Sequence, residues 1–141
     1  TEIIESNYVA NEKENLVVSF DQIKKNILSK SFNVIDARSL ERFEGKVSEP
    51  RKGLRSGHIQ NSFCLPFNQC INQKTGEFKN LEELRELFNQ NENIEKRLDQ
   101  VFTCGSGVTA AVLAYAYKMV NNDYIPKIYD GSWSEYGKYP A

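Results

Sequence analysis

The stretch Val101-Phe102-Thr103-Cys104-Gly105-Ser106-Gly107-Val108-Thr109-Ala110-Ala111-Val112 decides how this chain is read. It runs as a short apolar strand, a cysteine, a glycine-rich loop and an Ala-rich helix reaching about Val120. A cysteine at that junction meets several backbone N–H groups at once. The loop amides form an anion-binding nest, and the helix start adds unpaired N–H groups at the positive end of its dipole. Such surroundings favour the thiolate over the thiol. Gly105 and Gly107 are expected to let the loop curl around the sulfur, because glycine tolerates positive φ and carries no Cβ. The placement points to covalent chemistry through Cys104. A lone cysteine at a strand end is ordinarily a small buried hydrophobe, yet flanking glycines do nothing for a core thiol. Cys64, in the apolar run Ser62-Phe63-Cys64-Leu65-Pro66-Phe67, is read as core, and Cys70 as part of a polar loop without a nest. Neither is assigned a role.

Outward from this stretch, helical and strand patterns alternate. Ser19 with Gln22 three residues on makes a capping box that opens a helix over about Phe20 to Leu28. Phe32 to Ala37 reads as a buried strand, and Ser62 to Pro66 as a short one. Arg38 to Gly57, between them, is long, charged and rich in turn residues. Asn80 with Glu83 starts a second capped helix with Leu81, Leu84, Leu87 and Phe88 on one face. Gln100 to Thr103 is the strand before Cys104, Lys127 to Asp130 the last strand, and Gly131 onward a short cap. Alternation of this kind implies an α/β domain with a mainly parallel sheet and helices on both faces. Active sites in such sheets lie outside the carboxyl ends of the strands, where Cys104 stands.

Composition narrows the classes. The 141 residues suffice for one domain with a real core, assigned to 16–141, after a polar linker or tail over 1–15. A net charge of −1 gives no electrostatic footprint for nucleic acid. Three cysteines cannot all pair internally and no C-x-x-C occurs, which fits a reducing compartment. The single His58 rules out a multi-His metal site within the chain, and the cysteine spacing does not suggest zinc. No apolar run approaches membrane-spanning length, and no signal-peptide pattern is present. No cofactor, metal, nucleic acid or membrane partner is therefore expected. The start at Thr1 rather than Met fits a fragment or a processed form.

Four motifs in order carry a resemblance. Cys104-Gly105-Ser106-Gly107-Val108-Thr109 resembles the active-site loop of the rhodanese superfamily, in particular that of its mercaptopyruvate sulfurtransferases. Val34-Ile35-Asp36-Ala37-Arg38 with Arg42-Phe43, and Glu49-Pro50-Arg51 through Gly57-His58-Ile59, resemble the C-terminal catalytic half of two-domain members. Tyr129-Asp130-Gly131-Ser132-Trp133-Ser134-Glu135-Tyr136-Gly137 resembles the terminal signature. The likeness runs from about Leu16 to Tyr139. The chain departs from the pattern at Gln60-Asn61, where Pro-Gly is usual and the turn is left less rigid, and at Tyr136, where Trp is usual.

The resemblance implies a rhodanese-like α/β fold with a mainly parallel five-stranded sheet flanked by helices on both faces. It implies that Cys104 takes sulfane sulfur from 3-mercaptopyruvate as a persulfide and passes it to a thiol acceptor such as thioredoxin or glutathione. Arg42 and Arg51 match the arginines that hold the donor carboxylate and ketone, a task suited to the planar guanidinium fork. Gly105, Gly107, Val108 and Thr109 would surround the donor. Thiosulfate-specific relatives carry basic residues after the cysteine, where this chain has the neutral Gly105 and Ser106. Ser106 matches a serine of a proton relay whose His and Asp come from the other, N-terminal rhodanese-like domain. His58, by position, is not that histidine and is read as a hydrogen-bonded turn anchor; Trp133 is read as packing. Arg38 and Arg55 are read as solvated. The implied location is cytoplasmic, with the mitochondrion as the alternative. Thiosulfate sulfurtransfer and a non-catalytic rhodanese-like binding or regulatory module stay open. A protein phosphatase would need an arginine six residues after the cysteine, where Ala110 stands.

Overall fold

The computed structural model describes residues 7–11, 14–90 and 94–140, so the expected linker over 1–15 lies partly outside the described residues. Strands β1 (Phe32–Asp36), β2 (Phe63–Cys64), β3 (Asp99–Thr103) and β4 (Lys127–Ile128) form one parallel sheet in the order β2-β1-β3-β4. The longest pairing runs from Phe32 opposite Asp99 to Asp36 opposite Thr103. Among the described residues the sheet thus has four strands rather than five. A fifth contribution is reduced to one parallel bridge between Val17 and Ile128, with the Val18 N–H donating to the Ile128 carbonyl at 2.8 Å. The cause is local: a 3₁₀ turn over Glu14–Leu16 ends immediately before it, and the next helix is capped at Ser19.

Helix α1 spans Phe20–Ser29, and its capping box is formed in both directions between Ser19 and Gln22. Helix α2 (Leu40–Phe43) is a single turn inside the segment that the sequence leaves featureless. Helix α3 (Leu81–Asn89) has the expected Asn80/Glu83 box, but Leu81 is exposed and only Leu84 and Leu87 are buried. Helix α4 (Val108–Val120) and the short α5 (Ser132–Tyr136) complete the set. Side chains alternate across a strand with period two, and that splits the core. Ile35 and Phe102 face α3 and α4, against Leu84, Leu113 and Ala116. Val34 and Val101 face the other layer, against Ile23 of α1, Ile59, Tyr129 and Trp133 of α5. Helices therefore cover both faces.

Three local expectations are corrected. Cys70 is not in a polar loop: it ends a 3₁₀ turn over Phe67–Cys70 and is fully buried in the α3/α4 core, its carbonyl accepting from the Lys79 N–H at 2.9 Å. The last strand ends at Ile128, since the following residues turn into α5. The Gln60-Asn61 turn is tied rather than loose. Asn61 takes the left-handed backbone at φ 63° and its side-chain amide donates to the Ile27 carbonyl at 3.0 Å. Among the described residues no helix is long and apolar enough to cross a membrane.

This topology fixes where a site can form. From β1 the chain crosses to β2 on one side, and from β3 it crosses to β4 on the other. The order reverses between β1 and β3, and the crevice beyond their carboxyl ends is the expected ligand position in such a sheet.

Candidate active site

β3 ends at Thr103 and α4 begins at Val108, so Cys104 sits where the strand hands over to the loop. Its residue is 2 % exposed. The Ser106 N–H points at Sγ from 3.4 Å. Gly107 is the N-cap of α4 and offers no side-chain cap, which leaves first-turn amides available to the sulfur. Burial pushes the Cys104 thiol up; the Thr109 hydroxyl and the Ser106, Ala110 and Thr109 amides pull it down, and the net position is below the ordinary thiol value. The other thiols go the opposite way. Burial, with Asp36 nearby, pushes Cys64 up to about 12, and burial pushes Cys70 up to about 11.

The two loop glycines act for different reasons. Gly107 has φ 82°, and a Cβ there would run into the Asp130 carboxylate. Gly105 does not have positive φ; its missing side chain makes room for Arg42, whose Nη2 would stand 3.1 Å from a Cβ. Gly107 faces the β4 segment as well. Its N–H donates to Ser132 Oγ at 3.0 Å and it does not line the cleft described below.

Ser132 is the residue that sequence reasoning missed. It is fully buried, has φ 51°, and its Oγ accepts from the N–H groups of Cys104 (3.2 Å) and Gly107 (3.0 Å) and from the Thr103 hydroxyl (3.3 Å), while donating to the Tyr129 carbonyl at 2.8 Å. The start of α5 adds backbone contacts: Trp133 N–H to the Cys104 carbonyl and Ser134 N–H to the Gly105 carbonyl, each at 2.9 Å. The only hint in the sequence is the position of Ser132 within the terminal signature.

The segment after β1 builds the opposite wall. Arg38, expected in solvent, is buried at the centre of an ion cluster. It grips the buried Asp36 carboxylate through Nε and Nη2, donates Nη1 to Glu49 at 2.9 Å and Nη2 to the Gly57 carbonyl at 2.9 Å, and lies 4.5 Å from the Trp133 ring centre. Asp36 ends β1 inside the protein, and a carboxylate there needs a partner that can follow it. Arg55, also expected in solvent, is half-buried: it stands 4.6 Å from the Trp133 ring centre and 5.3 Å from that of Tyr136, and donates to the Tyr139 carbonyl at 2.8 Å. Trp133 is buried and donates to the Arg55 carbonyl, as packing requires. Glu49, side chain 1 % exposed, also receives Arg42 Nε at 3.2 Å and Nη2 at 2.6 Å. Arg51 donates Nη1 to Ser134 Oγ at 3.0 Å and to the Gly105 carbonyl at 3.4 Å.

Arg42, Pro50, Arg51, Cys104, Gly105, Ser106, Val108 and Thr109 line one open cleft of about 360 Å³ at the β1/β3 crevice. Every expected site residue except Gly107 is there. Val108 forms an exposed apolar rim. Ser106 reaches the sulfur through its backbone N–H. His58 is elsewhere: its Nδ1–H donates to the Phe43 carbonyl at 2.8 Å, and its ring stacks on Phe43 at 4.0 Å. The cleft therefore offers a depressed-pKa thiol, amides that can hold a negatively charged sulfur, and two guanidinium groups for an anion.

Comparison with known proteins identifies the family of the fold. The family model of the rhodanese-like domain matches residues 19–139. The chain is 42 % identical over 125 residues to thiosulfate/3-mercaptopyruvate sulfurtransferase 1, mitochondrial, of Arabidopsis thaliana, covering 89 % of this chain and 32 % of the relative. It is 39 % identical over 120 residues to human 3-mercaptopyruvate sulfurtransferase, covering 85 % of this chain and 39 % of that protein. The crystal structure of SseA from Escherichia coli, a 3-mercaptopyruvate sulfotransferase, superposes with a TM-score of 0.75 at 31 % identity, over 96 % of this chain and 48 % of SseA. The chain thus spans about a third of these curated relatives and about half of the solved one. With the model covering nearly its whole described length, and Cys104 at the loop that the fold presents, the chain belongs to the rhodanese-like domain family.

Proposed function

We propose that this chain is the sulfur-loading domain of a 3-mercaptopyruvate sulfurtransferase. The observation that carries the reading is that Cys104, whose thiol is drawn below its ordinary value, shares one cleft with Arg42 and Arg51. The Cys104 thiolate attacks the donor sulfur. A new S–S bond forms, the donor C–S bond breaks, and its electron pair leaves as the pyruvate enolate. The proton of the donor thiol replaces that bond at carbon, so the products are pyruvate and the Cys104 persulfide. The loop amides hold the terminal sulfur. An acceptor thiolate, such as that of thioredoxin or glutathione, then takes the outer sulfur and returns the Cys104 thiolate, in a ping-pong cycle.

Arg42 and Arg51 hold the donor carboxylate and ketone, with Gly105, Val108 and Thr109 as the surrounding wall. The neutral side chains at Gly105 and Ser106 favour this monoanion over thiosulfate. Ser106 belongs to the proton path. Because no imidazole lines the cleft among the described residues, the rest of the relay comes from an N-terminal rhodanese-like domain of the same protein. Three free thiols suit a reducing compartment, cytoplasmic or mitochondrial. The test is mass spectrometry of the protein after brief exposure to mercaptopyruvate. One added sulfur on the Cys104 peptide is expected in the wild type and in Cys64→Ala, and none in Cys104→Ser. Loading that survives in Cys104→Ser would overturn the assignment, and absence of loading on the wild type would favour a binding module.

A further inference from the structure

Two arginines reach the cleft, but only one brings a net charge. Arg42 spends Nε and Nη2 on Glu49, whose side chain is buried and is held on its other side by Arg38. Arg38 is in turn matched by Asp36. The cluster of Arg38, Arg42, Asp36 and Glu49 sums to zero. Arg51 carries no carboxylate partner among the described residues; its contacts are the neutral Ser134 hydroxyl and the Gly105 carbonyl. With Cys104 as thiolate, the donor meets one uncompensated cation and one anion.

We propose that Glu49 sets the charge selectivity of the cleft: by neutralising Arg42 while holding it in place, it matches the site to a singly charged donor and against a doubly charged one. This rests on the sulfurtransferase reading above. Glu49 is a positioning residue, since it acts through Arg42. In an open cleft, partly screened by water, one added unit of positive charge strengthens a dianion more than a monoanion, by roughly tenfold in relative affinity at separations of about 8 Å.

Glu49→Gln removes the charge with little change of shape; Glu49→Asp keeps the charge and shortens the reach. For wild type and both variants, kcat/KM is measured with mercaptopyruvate and with thiosulfate. Protection of Cys104 from alkylation is measured with oxamate and oxalate, which have nearly the same shape and differ by one charge. Glu49→Gln is expected to raise both the thiosulfate-to-mercaptopyruvate and the oxalate-to-oxamate ratios by roughly tenfold, while Glu49→Asp lowers absolute rates and leaves both ratios near wild type. A purely structural role would lower all four values together. Unmoved ratios in Glu49→Gln, or an equal shift in Glu49→Asp, overturn the proposal. If neither variant folds, the wild-type pair decides: oxamate protecting at least as well as oxalate supports it, and oxalate better by more than about tenfold refutes it. If no donor loads Cys104 in wild type, the sulfurtransferase reading fails, and the oxamate and oxalate arm still reports on Glu49.

Discussion

Replacing Ser132 by alanine removes one oxygen and strands two buried backbone donors. Ser132 Oγ is the acceptor for the N–H groups of Cys104 and Gly107 at 3.2 and 3.0 Å, and Ser132 is fully buried, so water cannot take over. An unsatisfied buried donor costs about 1–3 kcal/mol, and two of them about 2–6 kcal/mol. Set against a total stability of about 5–15 kcal/mol, that is a large fraction. With a urea slope of about 2 kcal/mol per molar, the unfolding midpoint should fall by about 1–3 M. A glycine at the same place loses the same bonds but relieves the left-handed backbone at φ 51°, which costs an L-residue about 1–2 kcal/mol. Ser132→Gly should therefore lie between Ser132→Ala and wild type. The same serine fixes both ends of the Cys104 loop, so its loss should let the Ser106 amide drift from the sulfur and raise the pH midpoint of Cys104 alkylation. Urea melts and alkylation profiles of the three proteins check this. A Ser132→Ala protein within about 0.5 kcal/mol of wild type, with an unshifted midpoint, would refute the reasoning.

Alkylation of Cys104 should titrate below the ordinary thiol range and move upward in Thr109→Val, because the Thr109 hydroxyl supports the thiolate; Cys64 and Cys70 should stay unreactive near neutrality. Those two thiols ionise in the unfolded chain near 9.0 but hold their protons in the fold to about 12 and about 11, so their contribution is complete below pH 9.0 and is lost as pH rises through that window. Urea melts between neutral and strongly alkaline pH read this. Cys104, with its value lowered, contributes in the opposite sense: stability present above the unfolded value and lost as pH falls through the folded one. Arg51→Ala should cost roughly 10- to 150-fold in kcat/KM for mercaptopyruvate, the loss of one charge-assisted contact worth about 1.5–3 kcal/mol, and unchanged kinetics would remove Arg51 from the site. Arg38→Met should destabilise the fold by about 3–5 kcal/mol in urea melts, because it leaves the buried Asp36 carboxylate without its partner.

What the sequence made legible was local and periodic. Both capping boxes, the β3–Cys104–α4 junction and the opposed faces of β1 and β3 depend on contacts a few residues apart. Ser19 with Gln22, Asn80 with Glu83, and the alternation Val34/Ile35 can be seen directly in the string. What stayed hidden was long-range. Ser132 reaches Cys104 across 28 positions, and Arg51 meets Ser134 across 83. Arg38 looked solvated because a charged residue in a charged loop normally is; yet the buried strand over Phe32 to Ala37 already puts the Asp36 carboxylate inside, where it needs a cationic partner, and Arg38 stands two residues on. Cys70 looked polar because Asn68 and Gln69 precede it, although a 3₁₀ turn points the cysteine inward and those residues outward. The reading of Gly105 failed on its cause rather than its effect: the required space belongs to Arg42, a residue 63 positions earlier, and not to backbone sign.

The sheet order explains why these distant residues meet. In a parallel sheet all carboxyl ends emerge on one side, so the segments leaving β1, β3 and β4 are neighbours there whatever their separation in the chain. The segment leaving β1 brings the anchored Arg42 and then Arg51; the one leaving β3 brings Cys104 and the α4 amides; the one leaving β4 brings Ser132 and Ser134. Each supplies what the others lack. The β3 loop has the nucleophile and no cation. The β1 segment has cations and no nucleophile. The β4 segment brings neither to the cleft, and its serines tie the other two together, Ser132 through the loop amides and Ser134 between Gly105 and Arg51. A crevice opens between β1 and β3 because the crossovers from these two strands depart in opposite directions, which leaves no helix to fill the gap between their ends. The position of the cleft therefore follows from strand order, and its chemistry from the three segments which that order brings together.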